Sequence, residues 1–364
     1  MENALRIVPP AIVPPAKPLG RVAFISRFVR NPLTVVPQAA YEEDIVVGMR
    51  GARPLVWVTS PALVRTILLD ERDKFQKLSQ IRLLAPLLGK GILTSQGADW
   101  KWQRQASAPL FRQQDLMTFV PTFVRTTEAL IARWRTAPKD SVHGIERDMT
   151  GVTFDVISAT LLPSGDETVA PAVEQATGRF QSAGAWGQLY AMANMPKWFP
   201  QPGRRSQASA VRILRESVMS LLREKRASSE TRDDLLHRLM AGRDPETGQS
   251  MNDEQLVDNL LTFYLAGHET TAKALTWTLY LLSRSPQWTE RLAQEIERIG
   301  GGRPVAAEHI DQLVLVQQVI KESMRIYPPV PLMSRQAVLE TSLGGHAVRV
   351  GTSLVMPIYA IHRH

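Results

Sequence analysis

The sequence predicts a mainly α-helical protein with a small antiparallel β region, and three observations support this fold class. One long central helix is expected at about 253–284, between an Asn252–Gln255 capping box and a stop at Ser285-Pro286. Apolar residues recur with helical periodicity in further segments, namely 119–134, 149–162, 208–226, 287–299 and the stretch from Leu313. Two stretches, 44–58 and 336–360, alternate between apolar and polar residues and contain turn residues. They predict a hairpin near the N-terminus and a small meander near the C-terminus.

The composition is that of a globular protein with a sizeable core. The chain has 364 residues, of which 44% are hydrophobic and 21% charged, enough for one large domain or two ordinary ones. No apolar run reaches the roughly 18 residues that a membrane helix needs, and the proline-rich leader at 1–20 does not suit a signal peptide. We therefore expect a cytoplasmic protein whose folded domain spans 21–364.

Charge and cysteine content exclude several kinds of site. The formal net charge is +8, but the sequence shows no basic block, zinc finger or helix-turn-helix, so an acidic protein partner is favoured over nucleic acid. The chain has no cysteine, which excludes disulfides, thiolate zinc sites and a cysteine nucleophile within these residues. The seven histidines form no set that predicts a metal site.

The middle of the long helix departs from the usual composition of a buried helix. Apolar residues cover most of its sides, which predicts burial, yet its centre reads AGHETT at 266–271. Ala266 and Gly267 remove side-chain bulk, so a flat group could lie against the backbone, and Thr270 can donate to the carbonyl of Ala266. One interpretation is a groove with a hydroxyl and the Glu269 carboxylate. The other is a packing notch in an ordinary core helix.

Two pairs of polar residues lie at helical spacing elsewhere. Trp100 and Arg104 share a face in GADWKWQRQASAPLF and could donate to an acidic group; a tryptophan packed on an arginine stem is the alternative. Glu322 and Arg325 lie three residues apart in the helix after Leu313 and can form a charged hydrogen bond. Because helices contain many such pairs, the second spacing alone indicates little.

Two segments are candidates for an apolar pocket. Four leucines between 83 and 88, including Leu84 and Leu87, lie in a stretch that Pro86 makes loop-like. They could line a pocket or form a local cluster. The loop 196–203, PKWFPQPG, follows aromatic and methionine residues and could form a lid over an apolar substrate, with core filling as the simpler alternative.

The order and spacing of these motifs resemble the cytochrome P450 family of haem-thiolate monooxygenases over essentially the whole chain after the leader. The resemblance is carried by AGHETT, by GADWKWQR before it, and by KESMRIYPPVP after it, which contains the family's Glu-x-x-Arg. The final segment, SRQAVLETSLGGHAVRVGTSLVMPIYAIHRH, extends it to the end of the chain. The resemblance implies a C-terminally incomplete P450 fold and haem b as the cofactor.

The resemblance also implies roles for residues at the haem. Ala266 and Gly267 would let haem and O₂ approach the long helix. Thr270 and Glu269 would serve oxygen activation, for which a hydroxyl beside an acid suits proton delivery in a largely dry pocket. The expected donors to the haem propionates are Trp100, Arg104 and Arg335.

Two further groups of residues take expected roles from the same resemblance. Glu322 and Arg325 would form the family's structural ion pair, needed for folding and haem incorporation. Apolar residues would contact the substrate. This group comprises Leu84, Leu87, Leu261, Leu265 and Met333.

The chain departs from the family pattern at the iron ligand. In this family a cysteine thiolate holds the iron, and its electron donation favours O–O cleavage. That cysteine lies C-terminal to everything matched here, whereas this chain stops at IHRH and contains no cysteine. Truncation is the favoured interpretation, ahead of replacement by another ligand, because no histidine lies in a suitable context.

We therefore predict a monooxygenase that inserts one atom of O₂ into an apolar substrate, in a family branch that includes fatty-acid hydroxylases. Electrons would come from NAD(P)H through a ferredoxin or flavodoxin, which Lys101, Arg104 and Arg112 could attract to a monomeric enzyme. One alternative is a non-catalytic remnant of the same fold that binds an apolar ligand or nothing. Another is a helical interaction scaffold, which would leave AGHETT unexplained.

Overall fold

The computed structural model describes residues 9–50, 53–161, 204–227, 235–244 and 246–364, with isolated positions between 172 and 195. The chain divides into two compact units. The first comprises Met1–Pro10, Lys101–Ala170 and Met219–Pro329. The second comprises Ala11–Trp100, Pro171–Val218 and Val330–His364. The structure is mainly α with a small β region, so the predicted fold class is confirmed.

The second unit contains a five-stranded sheet with the order β1-β2-β7-β4-β3. These strands are β1 (Ile45–Arg50), β2 (Arg53–Val58), β3 (Phe75–Gln76), β4 (Met333–Ala337) and β7 (Ser353–Met356). Between β4 and β7, strands β5 (Thr341–Leu343) and β6 (His346–Val348) form a separate antiparallel pair. The predicted N-terminal hairpin is confirmed, because Ile45 of β1 lies opposite Val58 of β2.

The predicted C-terminal meander is wrong in its connectivity. β4 pairs antiparallel with β7, and β7 continues the sheet by running parallel to β2. Gly344 and Gly345, with φ of 55° and 80°, close the short β5-β6 hairpin, which leaves the main sheet. The strand β7 joins the sheet because its side chains Leu354, Val355 and Met356 are buried in the core of this unit.

Leu83, Leu84, Leu87 and Leu88 lie in a helix, so the expectation of a loop-like stretch is wrong. This helix is α3 (Leu78–Leu88), with Pro86 inside it. The leucine spacing of three and four residues forms an apolar face that buries Leu87 and Leu88 completely. Pro86 cannot donate the N–H bond to the carbonyl of residue 82, so α3 loses one bond of its ladder there and ends two residues later. The other helices that begin in this unit are α1 (Arg21–Arg30), α2 (Pro61–Arg65), α4 (Gly97–Ser107), α8 (Arg204–Ala227) and α13 (Ile358–Ile361).

The first unit is built around the long helix α10 (Asp253–Ser283), whose 31 residues span roughly 47 Å. Its capping box is confirmed: the Gln255 amide donates to Asn252 Oδ1 at 2.9 Å and the Asn252 amide to Gln255 Oε1 at 3.0 Å. The other helices of this unit are α5 (Gln113–Met117), α6 (Val120–Thr136), α7 (Ile145–Leu161), α9 (Leu235–Ala241), α11 (Pro286–Gly300) and α12 (Val314–Ile326). None of the described helices is both long and apolar enough to cross a bilayer.

Burial of α10 is as predicted over its N-terminal half and differs near its C-terminal end. Residues 256–262 are all buried, and the Asn259 amide donates to Gln103 Oε1 of α4 at 2.9 Å. By contrast, Trp277 and Leu279 are each 37% exposed. The Trp277 ring stacks on Tyr327 with centroids 4.1 Å apart, which covers part of its apolar surface.

The proline-rich leader lies extended along the surface from residue 9 onwards. In the first unit Tyr327 Oη donates to the Pro10 carbonyl at 2.8 Å. In the second unit the Ile12 amide donates to Tyr359 Oη at 3.1 Å, and the Gln38 amide to the Pro15 carbonyl at 3.2 Å. These bonds hold residues 10–15 although the prolines among them can donate no backbone hydrogen bond.

The N-terminus of α12 is capped by a carboxylate from the neighbouring helix α11. Glu295 accepts hydrogen bonds from the backbone amides of Leu315 at 2.8 Å and Val316 at 3.0 Å. No side chain of the preceding residue caps this helix. Glu295 therefore caps the N-terminus of α12, and its negative charge interacts favourably with the positive end of the helix dipole.

We expect Glu295→Ala to lower the free energy of unfolding by about 1–2 kcal/mol, the usual cost of losing an N-cap. The measurement is the urea midpoint followed by circular dichroism. Glu297→Ala is the matched control, since Glu297 lies exposed on the same helix and should change the midpoint little. Equal midpoints for the two variants would contradict a capping role for Glu295.

Candidate functional site

The accessible face of α10 carries the polar groups that the sequence analysis placed there. Ala266 is exposed and Thr270 is half-buried one turn later. Thr270 Oγ1 donates to the Ala266 carbonyl at 2.7 Å, so the predicted bond is confirmed. This bond uses the hydroxyl proton of Thr270. The lone pairs of Oγ1 can still accept a hydrogen bond from another donor. The half-buried Glu269 carboxylate forms no hydrogen bond or ion pair with the described residues.

Gly267 lies on a different face of α10 from Ala266 and Thr270. A Cβ placed on Gly267 would lie 2.9 Å from Cδ1 of Ile157 in α7. The missing side chain thus makes room for a helix-to-helix contact, and Ala266 supplies the small surface on the accessible face. The contact of Gly267 with haem, implied by the resemblance, stays a prediction.

The second unit brings together two cationic side chains, Lys77 and Arg335, here called the cationic pair. Lys77 Nζ donates to the Leu93 carbonyl at 3.1 Å and lies 6.0 Å from the centre of the Trp100 ring. Arg335 Nη1 donates to Gln80 Oε1 at 3.2 Å. Three elements contribute: the residue before α3, the start of α4, and strand β4.

The electrostatics of the cationic pair indicate a binding site for an anion. Burial, with the charge of Arg335 second, lowers the pKa of Lys77 to about 8, and burial also lowers the pKa of Arg335. Neither side chain forms an ion pair with a carboxylate among the described residues. Because partly buried unpaired charges are costly, an anion bound between them would stabilise both.

Lys77 is a functional candidate that the sequence analysis missed. It precedes an apolar helix, and no helical or strand spacing connects it to Trp100 or Arg335. Of the three predicted propionate donors, Trp100 and Arg335 both lie in the second unit, and Trp100 is half-buried. Arg104 lies one turn further along α4 and is exposed.

The five predicted substrate contacts differ in how much surface they offer. Leu84, Leu265 and Met333 are half-buried and keep accessible surface. Leu87 and Leu261 are only 2% and 3% exposed, so they could contact a substrate only after neighbouring side chains moved. The predicted lid at 196–203 lies outside the described residues.

The predicted ion pair on α12 forms with bidentate geometry. Arg325 Nε donates to Glu322 Oε2 at 2.7 Å and Nη2 to Oε1 at 2.6 Å. These hydrogen bonds lower the pKa of the Glu322 carboxyl and raise the pKa of Arg325. Both side chains are about half exposed, so the pair by itself stabilises the fold by about 1 kcal/mol or less.

The predicted basic docking residues differ in their surroundings. Lys101 Nζ pairs with Glu246 at 2.7 Å, so part of its charge is already balanced within the chain. Arg112 is exposed and borders an open surface depression with Gln113, Gln114 and Met117. Its side chain forms no ion pair or hydrogen bond with the described residues.

Each unit offers residues that suit one part of a haem, and the described residues of neither unit supply a ligand for its iron. The cationic pair suits carboxylates, and the turn from Ala266 to Thr270 offers a small, partly polar face. The 364 residues include no cysteine. The described residues contain no group of three histidine, aspartate or glutamate side chains that could hold a metal ion.

Comparison with known proteins identifies sequences similar to this one over most of its length. The family model described as cytochrome P450 matches residues 22–364. Cyclooctat-9-en-7-ol 5-monooxygenase of Streptomyces melanosporofaciens is 30% identical over 335 residues, 92% of this chain and 72% of the relative. Pentalenene oxygenase of Streptomyces avermitilis is 28% identical, over 93% of this chain and 74% of the relative. A self-sufficient cytochrome P450 monooxygenase of Oidiodendron maius is 28% identical, over 88% of this chain but only 30% of its own length.

Proposed function

Since this chain belongs to the cytochrome P450 family, we propose that it is part of a haem-dependent monooxygenase that oxidises an apolar organic molecule. Membership implies a haem iron cofactor and electrons derived from NAD(P)H. The observation that carries the proposal is the Thr270 hydroxyl beside Ala266, with the Glu269 carboxylate next to it on an accessible turn of α10.

In this proposal one group of residues binds the haem propionates, and the polar side chains of α10 take part in proton transfer. Lys77, Arg335 and the Trp100 indole would hold the propionates of haem b. When bound, the haem would supply the redox chemistry that activates O₂. Thr270 Oγ1 would accept a hydrogen bond from a water molecule while it donates to the Ala266 carbonyl, and Glu269 would exchange protons with solvent.

The proposed substrate class is an apolar molecule with a hydrocarbon ring. The names of two relatives support this class, one acting on cyclooctat-9-en-7-ol and the other on pentalenene. Leu84, Leu265 and Met333 keep the accessible apolar surface that such a molecule would contact. Substrate contacts by Leu87 and Leu261 would need local repacking.

We propose a separate ferredoxin or flavodoxin as electron donor, attracted by exposed basic side chains such as Arg104 and Arg112. Lys101 would contribute less because Glu246 already pairs with it. The relative described as self-sufficient offers a second arrangement. The salt dependence of reduction by an acidic ferredoxin distinguishes the two arrangements. With a separate donor that is attracted electrostatically, the rate of reduction should fall steeply as the salt concentration rises.

The test begins with the native coding DNA beyond the codon for His364, to learn whether a cysteine follows in frame. The protein made from that gene is then loaded with haem and supplied with reductant, a ring hydrocarbon and ¹⁸O₂. We expect one labelled oxygen atom in the product. A protein that gives no haem absorbance band would instead support the alternative, a non-catalytic member of the same fold.

A further inference from the structure

The helix α7 packs closely against the back of the α10 turn that carries the candidate catalytic groups. Phe154 contacts the rings of Tyr264 and His268, with centroids 5.3 and 5.8 Å apart. Ser158 and Tyr264 form a hydrogen bond between their hydroxyl groups. Burial raises the pKa of Tyr264 to about 12, so its phenol stays neutral and this bond persists at ordinary pH.

One hydroxyl of α7 reaches the backbone of α10 itself. Thr153 Oγ1 lies 3.0 Å from the carbonyl oxygen of His268, and this contact is buried. The same hydroxyl lies 2.8 Å from the Met149 carbonyl and 3.2 Å from that of Thr150. Its single proton is therefore shared between its own helix and α10. The His268 carbonyl also accepts the Ala272 amide in the helical ladder, and its second lone pair accepts the Thr153 hydroxyl.

A second contact fixes the turn by shape. The absent side chain of Gly267 leaves room for Ile157, whose Cδ1 would otherwise lie 2.9 Å from a Cβ. Thr153 and Ile157 lie one helical turn apart on α7, and they contact adjacent residues of α10. Thr270 meanwhile bonds the Ala266 carbonyl on the accessible side. Two carbonyls of this turn thus accept hydroxyl hydrogen bonds. The His268 carbonyl accepts one from Thr153 of α7, and the Ala266 carbonyl accepts one from Thr270 on the accessible side.

We propose that Thr153 and Ile157 are positioning residues, which hold the backbone of Gly267 and His268 and so fix where Thr270 and Glu269 stand on the opposite face. This inference rests on the proposed function for its meaning in catalysis. The geometry itself needs no haem. The contact from α7 ties the His268 carbonyl to a neighbouring helix, so the turn can open only if this bond between the two helices breaks as well.

The experiment is amide hydrogen exchange of the purified chain without haem, read at residues 270–272. We expect Thr153→Val to speed exchange there by roughly 3- to 10-fold, the effect of losing one ordinary hydrogen bond. Thr153→Ser, which keeps the hydroxyl, should restore the parent rate. The matched control is Thr150→Val, since the Thr150 hydroxyl bonds to the Glu146 carbonyl within α7 and to no other helix among the described residues.

The contact of Ile157 is tested separately. Gly267→Ala should speed exchange in the same turn, and Ile157→Val, which removes Cδ1, should reverse the effect when the two changes are combined. Slower exchange in Gly267→Ala alone would overturn the role of Ile157, because it would mean that the helix propensity of alanine outweighs the contact.

Equal rates in Thr153→Val and Thr150→Val, or faster exchange along the whole of α10, would overturn the role of Thr153. These results do not depend on haem binding. A failure of the positioning proposal is therefore distinguishable from a failure of the proposed function.

Discussion

Thr270→Val should lower the yield of oxygenated product per O₂ consumed by roughly 100-fold, the low end of what a positioned group contributes to a proton transfer. Valine keeps the shape of threonine and removes Oγ1, so the bond to the Ala266 carbonyl is lost along with the ability to hold a water molecule. Reductant and O₂ should still be consumed, because electron delivery does not use this hydroxyl. Product and O₂ are measured in the haem-loaded enzyme from the native gene.

Thr271→Val is the matched control for this prediction. Thr271 is the next residue of the same helix and is exposed, but it lies on a different face from Ala266. It should keep the parent yield. An equal loss in both variants would mean that the helix, rather than the Thr270 hydroxyl, is responsible. An unchanged yield in Thr270→Val would show that the hydroxyl plays no part in proton delivery.

The elements with strong local signals could be predicted from the sequence. The capping box at Asn252 and the proline after Ser285 located α10, and alternation predicted the β1-β2 hairpin. The pairing of β4 with β7 could not be predicted, because the hairpin between them can lie within a meander or outside it. In α3 the proline predicted a loop, whereas the burial of Leu87 and Leu88 on one face stabilises the helix by more than the single ladder bond that Pro86 removes.

The site could be predicted only where its residues share one helix. Thr270 and Ala266 are four residues apart, so their bond follows from helix geometry. Lys77 and Arg335 are far apart in sequence, and only folding brings them together. The packing reason for Gly267 was also beyond the sequence, because Ile157 belongs to another helix.

Replacing Lys77 by methionine should weaken haem binding at pH 7 by about 10-fold, and adding Arg335→Leu should bring the loss to about 100-fold. These sizes follow from charged hydrogen bonds to a propionate, which contribute about 1.5–3 kcal/mol each. Haemin titration of the purified chain, followed by quenching of tryptophan fluorescence, gives the affinity. Lys17→Met is the matched control, since it removes the same charge from an exposed position in the same unit. An equal loss in that control would mean that overall charge, and not the cationic pair, attracts haem.

The pH dependence gives a sharper test, because haemin affinity should fall as pH rises while the stability of the haem-free protein should increase. Burial lowers the pKa of Lys77 from its ordinary value of 10.5 to about 8 in the folded chain. Raising the pH through about 8 removes its charge, so haemin affinity should fall from pH 7 to 9.5 in the parent and much less in Lys77→Met. Between about pH 8 and 10.5 the unfolded chain binds more protons at this site than the folded chain, so the stability of the haem-free protein should rise with pH. Lys77→Met should lack that rise, whereas parallel pH profiles in the two proteins would show that Lys77 is not buried as a charge beside Arg335.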